Sequence, residues 1–166
     1  MKTFLCLLVA AVVLGAGSPS RADDAIVTYK SIAPDAALDL AKSALATCRN
    51  HGYQIAVVVL DRFGQVLVLL RDRFAGLPAA GTANDKAYTA LSFRMASAEF
   101  ARSIKSGQLS AGLSELPHIV TLAGGLTIES GGNLLGAVGV SGAPGGDKDE
   151  ECAKAGLDSI RDKLDF

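Results

Sequence analysis

An apolar stretch, residues 4–15, follows Lys2 and precedes Ser20-Arg21-Ala22. A short cationic start, an apolar run too short to span a bilayer and small residues ahead of a cut predict a signal peptide over 1–22. Residues 23–166 are then a single domain, expected in a periplasm or outside the cell. Pro34 and Asp35 suit a helix start. Leu38, Ala41, Leu45 and Cys48, spaced by three and four, draw its apolar stripe, and Gly52 is a stop. Residues 53–60 and 65–70 are apolar runs joined by Asp61-Arg62-Phe63-Gly64, which predicts an antiparallel hairpin. Neither run alternates strictly, so the sheet is expected to be covered on both faces.

Thr82 is expected to cap a middle helix reaching about Met95, and Ser97 a second helical piece ending near Gly107. Residues 119–122, 126–129 and 134–140 read as strands, the last two joined by a Gly131-Gly132 turn. Asp147, Asp149, Glu150 and Glu151 crowd the start of a final helix, where negative charge is stabilising. Ala153, Leu157, Ile160 and Leu164 form its stripe. Short connections in both strand groups predict an α+β fold with an antiparallel sheet and helices packed on it.

Composition narrows the function. Sixteen Lys and Arg against 17 Asp and Glu leave no basic field for nucleic acid. Aromatics at 5% with no Trp argue against a base-stacking platform or an aromatic sugar groove. Of three cysteines, Cys6 falls in the leader. Cys48 and Cys152 remain, each beside the apolar stripe of a terminal helix, and in an oxidising compartment they are a candidate disulfide. The alternative is two separate small core residues. With no CxxC or CxxCH, a thioredoxin motif, a four-cysteine zinc site and c-type covalent haem attachment do not fit.

No zincin, hydrolase-elbow, phosphate-loop or dinucleotide motif is present. His51 sits at a polar helix end, where a cation is favoured. His118 follows Pro117 at the edge of a Gly-rich region; it either ligates iron in a pocket or is an ordinary exposed or satisfied histidine. Lys86 opens the middle helix after the Arg71-Asp72-Arg73 loop. Lys86, Arg71 and Arg73 are candidates for pairing with ligand carboxylates, and Lys86 has the alternatives of a solvated surface lysine or a partner for Asp72 or Asp85.

Val58-Val59-Leu60-Asp61-Arg62-Phe63-Gly64-Gln65-Val66 resembles a signature of the GlcG/HbpS-like haem-binding family. So do Lys86-Ala87-Tyr88-Thr89-Ala90, Gly124-Gly125-Leu126-Thr127-Ile128, residues 136–142 and residues 149–157, in order across 34–160. The resemblance implies a profilin-like α+β fold with a five-stranded antiparallel sheet between helices, and homo-oligomers. It implies noncovalent binding of haem or a similar small planar anionic ligand, in haem or iron handling or redox sensing, with haem degradation among the family's activities. Read with the residues above, His118 is then the iron ligand and Arg71, Arg73 and Lys86 the rim for the propionates. His118 departs from the Leu-Pro-Gly common in the family, and Ala96 stands where many members have proline. The competing reading is a non-catalytic oligomeric accessory module for an exported oxidoreductase.

Overall fold

The computed structural model describes residues 25–164; the expected signal peptide lies outside them. Helix α1 (Pro34–Asn50) starts on a proline whose missing N–H costs nothing in a first turn. It buries Ala37, Leu40, Ala41, Ala44, Leu45 and Cys48; Leu38, expected on the stripe, is half-buried at its margin. Strands β1 (Ala56–Asp61) and β2 (Val66–Arg71) form the expected hairpin. Its turn is held by Asp61 Oδ1, which accepts from the Phe63 and Gln65 amides at 2.8 and 2.9 Å. The middle helix α2 (Ala79–Phe93) begins earlier than expected, so Thr82 lies inside it and donates its N–H to Pro78 O rather than capping. Helix α3 (Ser97–Lys105), a 3-10 turn (Ala111–Glu115), strands β3 (Gly125–Ser130) and β4 (Asn133–Ser141), helix α4 (Gly146–Asp158) and a last turn α5 (Arg161–Leu164) complete the order.

The sheet is antiparallel and runs β2-β1-β4-β3. It has four strands, not the five expected. Residues 119–122, apolar except for Thr121, form no ladder. A turn at Pro117 and His118, with His118 at φ 65°, lays the segment on α2, where the Val120 amide donates to Thr89 Oγ1 at 2.9 Å. A helix side chain takes the bond that a neighbouring strand would have needed.

Helices α1 and α4 cover one face over Val57, Val59, Val138 and Val140. Helix α2 covers the other, setting Ala83, Ala87 and Ala90 against Ala56, Val58 and Ala137. The central strand β1 is therefore buried on both sides through Leu60, which is why its sequence does not alternate. Small residues bring α2 very close. A Cβ at Gly139 would stand 1.9 Å from the Ala83 carbonyl oxygen, so only glycine fits there. Cys48 and Cys152 form a disulfide between α1 and α4, with Cα atoms 5.6 Å apart and both residues buried. No helix among the described residues is long and apolar enough to cross a membrane.

Candidate functional site

Helix α2 places Asp85 and Tyr88 on one side, three residues apart, as helical geometry requires of near neighbours. The turn after Pro117 brings His118 to them. Its Nδ1 lies 3.1 Å from Asp85 Oδ1, and its ring packs edge-on to Tyr88 with centroids 5.8 Å apart. The imidazole is 63% exposed. A carboxylate accepting from Nδ1–H fixes the tautomer and leaves Nε2 as an open lone pair. That atom has no partner among the described residues. Two further bonds steady the arrangement: Thr89 Oγ1 donates to Asp85 O at 2.8 Å and accepts from Val120 N. Leu116 and Leu122, on either side of His118 in the chain, are each 49% exposed. Among the described residues no three His, Cys, Asp or Glu side chains converge on one point.

Lys86, one residue from Asp85, points inward. It is 2% exposed and donates to Val140 O at 3.0 Å and to Asp149 Oδ2 at 2.5 Å. It is therefore spent on the fold and is not part of an open cationic rim. Asp149, expected to be a helix-start charge, is 3% exposed and also accepts from the Ala143 amide at 2.9 Å. Burial pushes the Asp149 carboxyl above its ordinary range, while Lys86 and the Ala143 amide pull against that rise. Gly124-Gly125 makes room for the pair, since a Cβ at Gly125 would sit 2.0 Å from Lys86 O.

Arg71 and Arg73 lie at the other end of β2 from His118. Tyr88, beside His118, packs near Gly64 in the hairpin turn, whereas Arg71 pairs with Ala56 at the opposite strand end. A six-residue strand separates these ends by on the order of 20 Å. Arg71 donates to Ala75 O. Arg73 is exposed, with its guanidinium 5.2 Å from the Phe74 ring centroid. It borders a cavity of about 530 Å³ shared with Arg49, Gln54 and Asp72. The four expected ligand residues are thus split among three places.

A second groove, of about 420 Å³, runs between β3 and α4 over Ala96, Leu126 and Leu157. Its rim cations are matched by carboxylates: Lys154 pairs with Glu150 at 2.7 Å, and Arg161 with Asp158. Sequence reasoning missed the roles of Asp85 and Asp149 and the Arg49–Asp72 pair. The Asp85/Tyr88 spacing was a visible signal for the first; the other two depend on contacts between distant segments.

Residues 32–158 match the model of a family described as haem degrading protein HbpS-like. A double mutant of HbpS from Streptomyces reticuli superposes with TM-score 0.77 at 31% identity, covering 92% of this chain and 99% of that one. The Klebsiella pneumoniae protein ORFY gives TM-score 0.77 at 25% identity, over 82% of this chain and 94% of that one. The haem complex of PduOC gives TM-score 0.74 at 24% identity, over 78% and 95%. An uncharacterised 15.0 kDa protein of Citrobacter freundii, from a dhaT-dhaS intergenic region, is 30% identical over 109 residues, 64% of this chain and 77% of that protein.

Proposed function

The chain belongs to the HbpS-like family, and on that premise we propose that it binds haem noncovalently, with His118 as the iron ligand. The carrying observation is the hydrogen bond between His118 Nδ1 and Asp85, which orients the ring and leaves Nε2 available. A neutral imidazole whose far nitrogen is held by a carboxylate is a good haem donor, because the second bond raises its basicity. Tyr88 beside His118, and the exposed Leu116 and Leu122 flanking it in the chain, offer apolar surface for a flat macrocycle. HbpS shares the fold at 31% identity, and PduOC, a haem complex in its crystal, shares it too. When bound, the group supplies one-electron iron chemistry; the chain's own part is to ligate and orient it. Lys86 is committed to Asp149, and Arg71 and Arg73 lie at the far end of β2, so the iron ligand rather than a basic rim carries this reading. The leader expected over 1–22, together with the Cys48–Cys152 disulfide, is what supports export to an oxidising compartment.

The test is a haemin titration of residues 23–166 followed in the Soret band. Wild type is expected to saturate. His118→Ala is expected to lose the ligand-field signature and bind at least about tenfold more weakly, a loss near 1.4 kcal/mol. An unchanged Soret spectrum in His118→Ala would reject the ligand, and no saturable binding by wild type would reject haem.

A further inference from the structure

We propose that the cavity between the end of α1 and the loop after β2 is a binding site for a small oxyanion, a carboxylate or phosphate group. Its four lining residues, Arg49, Gln54, Asp72 and Arg73, all carry polar head groups on their stems, and two of these are guanidiniums, the group that recognises compact oxyanions.

The site is built rather than incidental. Asp72 is 3% exposed, and its Oδ1 takes both Arg49 Nε at 2.7 Å and Arg49 Nη2 at 2.5 Å. The Ile55 amide donates to Oδ2 at 3.4 Å, and the Asp72 amide donates back to Ile55 O at 2.9 Å. A buried carboxylate thereby fixes the guanidinium of a residue that is itself 54% exposed. Two of its three nitrogens are used, and Nη1 has no partner among the described residues. Arg73 has no carboxylate partner among them either; its guanidinium is steadied by the Phe74 ring. The Gln54 side-chain amide is likewise unbonded among the described residues, adding a neutral donor to the same cavity wall.

Charge supports the same reading. Two guanidiniums against one carboxylate leave one positive charge, which a monoanion would balance. Arg49 stands in the last turn of α1, where the helix end is negative, so an anion needs the second guanidinium to bind. Guanidinium groups held in place recognise paired oxygens in a bidentate manner, and prior immobilisation lowers the entropy cost of binding.

The experiment is a titration of the oxidised protein with sodium phosphate and, separately, sodium acetate, at fixed ionic strength, followed by amide and guanidinium nitrogen NMR shifts. Saturable shifts are expected at Arg49 Nε, Gln54 and Arg73 with at least one of the two anions. Arg73→Gln, which leaves Arg49–Asp72 intact, is expected to weaken binding about tenfold or more. Gln54→Leu is a second variant that keeps all charges, with a smaller loss expected. His118→Ala is expected to bind the anion as wild type does, which separates this site from the haem reading. Non-saturating shifts with both anions, or equal affinity in Arg73→Gln, would overturn the proposal.

Discussion

Replacing Lys86 with methionine tests the account of the molecule's interior. The side chains of Lys86 and Asp149 are 3% and 5% exposed, and their 2.5 Å contact spans 63 residues of sequence. Methionine fills much the same volume but removes the ammonium. Asp149 is left with the Ala143 amide as its remaining donor. Breaking a buried pair from one side costs about 3–5 kcal/mol, because the surviving charge is stranded away from water. For a domain of this size that is a fall in Tm of roughly 10–15 °C. Urea unfolding of the oxidised protein, followed by circular dichroism, should show a lower midpoint with an unchanged slope. The double variant Lys86→Met/Asp149→Leu should recover much of the loss, since no charge then remains buried. A single variant losing less than about 1 kcal/mol would mean that Lys86 behaves as a surface lysine and would refute the reasoning.

Two further outcomes follow from the same interior. The disulfide closes a loop with a sequence separation of 104, for which chain entropy predicts a contribution of about 4.7 kcal/mol; intact mass should rise by two hydrogen atoms on reduction, and a reduced protein as stable as the oxidised one would contradict it. Asp149 has a raised carboxyl pKa, so the folded state holds that proton to higher pH than the unfolded chain. Its contribution to stability therefore falls as pH rises from the ordinary aspartate value of 3.8 through the raised value; Asp149→Asn should remove that downward component from a stability–pH curve, and identical curve shapes would count against it.

Much of the architecture was legible because periodicity and turn chemistry are local. The stripe ending at Cys48, the Asp61–Gly64 turn and the Gly131-Gly132 turn all emerged as expected. Residues 119–122 misled because an apolar run does not reveal whether it lies beside a strand or, as here, across a helix holding Thr89. Lys86 was ambiguous for a related reason. Its environment depends on room left by Gly125 and on a carboxylate in α4, and neither is visible from its own neighbours. Arg49 and Asp72 sit 23 residues apart, one in α1 and the other in the loop after β2, so no spacing rule joined them.

The missing side chain at Gly139 also has a mechanical meaning. With the Ala83 carbonyl resting directly on the strand, α2 cannot slide along the sheet without climbing over its pleats. Asp85 and Tyr88 are therefore fixed relative to the sheet, and the imidazole of His118 is pinned to that rigid surface through Asp85 Oδ1 and, two residues on, through the Val120–Thr89 bond.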